Sequence, residues 1–196
     1  MLIVAAASIA MYLALVRRWT SRRQWVSLAQ WSRESGFRLR PVRREMLPQP
    51  VLDLIRTDAQ VRFHLCDPKN TLVQFETEPL KPGAPVPKWN VLVRHRPAAG
   101  APAALRPATQ AFQLIDLLPL GKFPSMTLGD RFVVHASEPA AARRLAESHA
   151  AALLPPDLGL VLLERHFMLD FSSRPFDPIE FGRMLALADQ LARVVS

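Results

Sequence analysis

Residues 1–16, MLIVAAASIAMYLALV, carry no charge and run directly into RRWTSRRQW. This junction constrains the chain more than any other feature, because an uncharged apolar run must be taken out of water by lipid or by protein. Between Arg17 and Arg44 nine arginines stand against one acid, Glu34, while acids and bases balance elsewhere, so the whole formal charge of +8 lies beside that run. A basic chain ordinarily suggests nucleic acid or an acidic surface as partner. Here a neutral body wears an arginine collar, and the collar speaks of location more than of chemistry.

A 16-residue helix is about 24 Å long, against a hydrocarbon core of about 30 Å. Arg17 and Arg18 can snorkel and Trp19 suits the interfacial zone, which extends the usable length. A cleaved signal would carry its charges before the apolar run and a small-residue site after it. This chain has the reverse. Residues 1–18 are therefore expected to be an uncleaved transmembrane signal-anchor and 19–36 a basic juxtamembrane helix. Arg17, Arg18, Trp19, Arg22, Arg23 and Trp25 are expected to hold the chain on a bilayer with anionic headgroups. With every basic residue C-terminal to the span, the expected topology is single-pass in a bacterial inner membrane, N-terminus out and body cytoplasmic. Ala6, Ala10 and Ala14 form a small-residue stripe on which two anchors could meet as a loose homodimer.

The remaining 160 residues, 37–196, are enough for one cored domain without disulfide staples, and Cys66 is the sole cysteine. Ser21 and Gln24 read as a capping box and Gly36 as a helix stop. Phe37 and Leu39 read as a short strand, and Pro48 with Pro50 opens a helical turn. The spacing predicts a hairpin over 59–78, with Val61, Phe63 and Leu65 on one face and Arg62, His64 and Cys66 on the other. Residues 89–95 add a strand, with proline-rich loops at 79–88 and 97–108. Strands are expected at 111–118 and 131–137, a helix over 138–153, and a second hairpin within 158–171. Asp177, Pro178 and Glu180 form a strong helix start, and the apolar spacing carries that helix to Val195. Strands in hairpins with helices between groups make the class α+β, an antiparallel sheet with helices on one face.

No constellation of catalytic or ligating residues stands out. His64 and Cys66 lie two apart on one strand, but two ligands do not make a metal site. Ser125 lacks the glycines of a nucleophile elbow, and Asp130 with His135 makes at most a pair. Seven scattered glycines offer no phosphate cradle. No catalytic residue, cofactor or metal is therefore assigned. Nucleic-acid binding through 17–44, with Trp25 and Trp31 stacking on bases, is disfavoured because the body adds no basic patch.

Trp25, Ala29, Gly36 and Phe37, the HFMLDF strand at 166–171 and the closing helix from Phe181 to Val195 together resemble uncharacterised bacterial single-pass membrane proteins. Those proteins join an N-terminal anchor to a small α+β cytoplasmic domain. The resemblance implies architecture and no activity. The reading that follows is a membrane-anchored cytoplasmic binding or scaffold domain that takes a protein partner or a small ligand. The alternative is a tethered enzyme, with His64, His135 and His166 as first suspects.

Overall fold

The computed structural model describes residues 22–41, 43, 46–55, 59–79, 83–97, 100–109 and 113–195. Its helices are α1 (22–35), α2 (Gln49–Leu54), α3 (Pro139–Glu147), α4 (Ala150–Leu153) and α5 (Pro178–Val194). Its strands are β1 (Arg38–Leu39), β2 (Gln60–Cys66), β3 (Asn70–Glu76), β4 (Lys88–His95), β5 (Ala103–Pro107), β6 (Ser125–Leu128), β7 (Phe132–Ala136), β8 (Gly159–Leu162) and β9 (His166–Asp170). The nine strands form one antiparallel sheet in the order β1-β2-β3-β4-β9-β8-β5-β7-β6. The late hairpin β8–β9 is thus inserted between β4 and β5, two strands adjacent in sequence. This closes a meander on one side with a second group on the other.

Local chemistry explains most of the boundaries. Gly36, at φ +76°, ends α1 in the left-handed conformation that glycine adopts without strain. In the β2–β3 turn the Asp67 carboxylate accepts from the backbone N–H of Lys69 at 2.6 Å and of Asn70 at 2.5 Å. At the start of α5 the Asp177 side chain accepts from Glu180 N–H at 3.0 Å, with Pro178 in the first turn, as the sequence predicts.

The sheet carries a core on each face. One core gathers Leu28 of α1, Leu145 of α3, Ala150 of α4 and Phe181, Met184 and Leu191 of α5 over Leu65, Leu72, Leu105 and Leu169. The other packs Val51 and Leu54 of α2 and two 3₁₀ turns, Leu114–Leu117 and Pro119–Lys122, over Val73, Val91, Ala104, Val161 and Met168. The α+β class stands, but helices on one face only does not, because strands apolar on both sides must be covered twice.

Local expectations change in four places. Residues 111–118 are expected as a strand, yet Leu114–Leu117 is a 3₁₀ turn. Residues 97–108 are expected as a loop, yet they contain β5, which is buried at Ala103, Ala104 and Leu105. The helix expected over 138–153 breaks between α3 and α4, where Ser148 Oγ turns back to Leu145 O at 2.7 Å. In β2 a register shift between Val61 and Phe63 leaves Arg62 opposite no β3 residue. That bulge puts Val61 with one core and Phe63 with the other, so the expected alternation fails at that point.

The transmembrane architecture is also corrected. Among the described residues no helix is long and apolar enough to cross a membrane. The physical reason is charge: a span needs about 20 predominantly apolar residues, whereas the 17-residue α5 carries Glu180, Arg183, Asp189 and Arg193. Helix α1 likewise carries Arg22, Arg23, Arg33 and Glu34. Residues 1–18, including the Ala6, Ala10 and Ala14 stripe, lie outside the described residues. The signal-anchor, the single-pass inner-membrane location and the N-out orientation therefore have no support in the described fold.

Candidate functional site

Of the residues expected at a bilayer surface, Arg17, Arg18 and Trp19 lie outside the described residues. Arg22 and Arg23 are exposed on the first turn of α1. Trp25 is 46% exposed and lays its ring against Phe63 at 5.9 Å between centroids. Helix α1 is held to the body by Leu28, by Trp31 against Phe37 and Phe181, and by Gln24 Nε2 donating to Phe176 O at 3.1 Å.

The three suspect histidines do not converge. His64 lies on β2, second in the sheet, His135 on β7, eighth, and His166 on β9, fifth. His64 is buried, not exposed beside Cys66, and its register partner Val73 belongs to the second core. Burial, and then the Arg40 guanidinium, hold its pKa below the usual imidazole value. His135 is buried with neither ring nitrogen hydrogen-bonded. Register pairs it with Ser125, but no hydrogen bond joins the two. His166 meets His95 across the β4–β9 ladder, centroids 5.1 Å apart, and is likewise lowered, by burial first and then by His95 and Arg165. Among the described residues no group of three His, Cys, Asp or Glu side chains could hold a metal ion.

Two other polar features are structural fasteners. Asp170 is buried, accepting from Leu114 N–H at 3.1 Å, Ser172 N–H at 3.0 Å and Ser172 Oγ at 2.5 Å. Desolvation raises its pKa, and those hydrogen bonds oppose the rise. It therefore pegs a 3₁₀ turn to β9. Arg96 is buried beside a cleft of ≈ 370 Å³. Its guanidinium donates to Leu163 O at 2.7 and 3.0 Å and to Val195 O at 2.7 Å, which ties β4 to the β8–β9 turn and to the end of α5.

The feature with binding geometry lies at the far edge of the sheet. Among the described residues strand β6 has no neighbour beyond it, and Ser125, Met126 and Thr127 are exposed. On the side of the sheet where Met126 and Ala136 point, a cleft of ≈ 220 Å³ opens between β6 and the first turns of α3. Met126, Ala136, Pro139 and Ala142 make it apolar, while Glu138 and Arg143 supply opposite charges. The position follows from local sequence: Gly129, at φ +61°, turns β6 back on β7, and Pro139 starts α3 directly after β7. Sequence reasoning had no strand at 125–128 and so missed this site. The available signal was the short alternation of Met126 and Leu128 before a glycine-containing turn.

No protein-family model matches this chain, and no curated protein matches it. Among solved structures, the chain is similar to the crystal structure of the mycobacterial trehalose monomycolate transport factor A, TtfA, with a TM-score of 0.56 and 13% identity over 88% of this chain and 92% of that one. At that identity the likeness is one of fold: the two chains share an architecture over nearly their whole lengths.

Proposed function

We propose that this chain is a non-catalytic binding or scaffold domain that docks a protein partner at the β6–α3 cleft. The observation that carries the reading is the open, uncharged edge strand beside an apolar cleft, a combination that recognises a partner and needs no reacting group. The scatter of the histidines across the sheet weighs against the enzyme alternative, since general acid–base work requires groups within hydrogen-bond reach of one reacting centre. The similar structure belongs to a protein named as a transport factor, and a binding or scaffold role is compatible with such a likeness.

A photo-crosslinking residue placed at Met126, with a control at the exposed Glu164 in the β8–β9 turn, tests the reading in the native cell. The expected outcome is a discrete adduct from position 126 that the control does not form and that Ala142→Arg suppresses. Identical adducts from both positions, or none from position 126, would overturn it.

A further inference from the structure

We infer that the partner binds at this cleft as an extended peptide that adds a tenth strand to the sheet along β6, seating one apolar side chain against Met126 and α3. The inference rests on the binding reading above and names the form its partner takes.

The two edges of the sheet are unlike. At one, β1 is two residues long, Arg38 is one of the two, and Arg40 and Pro41 follow directly. Shortness, charge and proline are the devices that blunt an edge against pairing. At the other, Ser125-Met126-Thr127-Leu128 is twice as long, carries no charge and keeps an unbroken register with β7, with Pro124 just before the paired residues and not among them. An edge left open in this way is a template for another strand.

The hydrogen-bond phase shows which groups it offers. Ser137 N–H donates to Pro102 O at 3.2 Å and Ala108 N–H donates to Arg131 O at 2.9 Å. These bonds place the β7 groups that face β5 at 131, 133, 135 and 137, leaving 132, 134 and 136 to face β6. In β6, Met126 and Leu128 oppose Val134 and Phe132 and therefore bond inward. The N–H and C=O of Ser125 and Thr127 point outward, where an added strand would take them.

Pleating then decides where the added side chains go. Successive residues of a strand alternate between faces, so every second side chain beside β6 lies on the α3 side, over the apolar cleft. The cleft is bounded by Met126, Ala136, Pro139 and Ala142 and has room for one large aliphatic or aromatic side chain. Backbone pairing supplies affinity and the cleft supplies selectivity. A second copy of this chain is a poorer occupant. Two four-residue edges in symmetric contact bury far less than the roughly 1,000 Å² that a specific dimer needs, and such pairing leaves the cleft without an inserted side chain.

The test selects random twelve-residue displayed peptides against the full chain and measures synthetic versions of the enriched ones by fluorescence anisotropy and amide NMR. Enriched peptides are expected to repeat apolar residues two positions apart, and to shift and protect the Ser125 and Thr127 amides. Thr127→Pro removes an outward N–H and is expected to weaken binding at least tenfold. N-methylation of one alternating set of peptide amides should abolish binding while the other set is tolerated; that arm leaves the protein unaltered and holds even where Thr127→Pro perturbs folding. Absence of enrichment, or ligands indifferent to both changes, overturns strand addition. Ligands lost with Met126→Asp but indifferent to Thr127→Pro and to N-methylation would overturn strand addition and leave the docking reading standing. Ligands indifferent to all three changes would defeat both. A concentration-dependent dimer abolished by Thr127→Pro would reassign the edge to a second copy.

Discussion

At the scale of single residues, the buried polar groups divide by whether they are satisfied. Asp170 accepts three hydrogen bonds in the interior. Asp170→Ala leaves Leu114 N–H and Ser172 without their acceptor and is expected to cost about 2–3 kcal/mol, read as a lower denaturant midpoint. His135 is the opposite case, buried with both ring nitrogens unpartnered. His135→Leu removes that desolvation cost and is expected to raise stability by about 1 kcal/mol; a lower melting temperature would contradict it. His64 sets a pH dependence. Burial and Arg40 hold it below 6.5 in the fold, so as pH falls through that value the unfolded chain takes up the proton first. Stability is therefore level above about pH 7 and declines as pH drops below 6.5 toward the folded value. His166 is shifted in the same direction, so His64→Leu should flatten this decline in part, as followed by urea unfolding at pH 5.5, 6.5 and 7.5. Asp170, raised by burial, has the opposite sign, losing its contribution as pH rises from 3.8 toward its folded value, so the His64 effect is read as the difference between the His64→Leu and parent chains at each pH. Only the histidine types were visible in the sequence; their burial was not, because it depends on what covers each face.

At the scale of elements, α1 and α5 are strongly determined. The Asp177 cap satisfies Glu180 N–H, so Asp177→Ala is expected to cost about 1 kcal/mol, measurable as a reduced melting temperature. Leu28 is fully buried on α1, and Leu28→Ala should cost about 2–5 kcal/mol. A change much below that range would mean α1 contributes little to the core. The 59–78 hairpin, the 89–95 strand and the 158–171 hairpin were legible because apolar alternation and turn residues coincide there. Strands β5 and β6 were not. Each is short, and β5 sits in a proline- and alanine-rich stretch whose composition reads as loop until tertiary pairing overrides it. The face assignment in β2 failed at Arg62 because a bulge adds a residue that no alternation rule foresees.

At the scale of the molecule, the β8–β9 hairpin occupies the centre of the sheet although it comes late in the chain. Both cores draw on it: Leu160, Leu162, Phe167 and Leu169 in one, Val161 and Met168 in the other. A chain ending at residue 155 is therefore expected to lose cooperative unfolding, seen as absence of a sigmoidal transition by circular dichroism. Until β9 pairs with β4, that strand lacks its outer neighbour, so most of the fold waits on contacts distant in sequence.

Composition and local pattern by themselves determined the α+β class, the charge collar, the surest helix with its cap, the clearest hairpins and the absence of a catalytic motif. These are properties of near neighbours, set by periodicity, capping and turn chemistry. The tertiary structure alone decided that the sheet has two covered faces, that the histidines stand apart, and that among the described residues no helix suits a membrane span. It alone placed β6 at the edge of the sheet beside α3, with no further strand among the described residues. Which strand ends at an edge depends on strand order, and strand order is set by pairings between segments far apart in the chain.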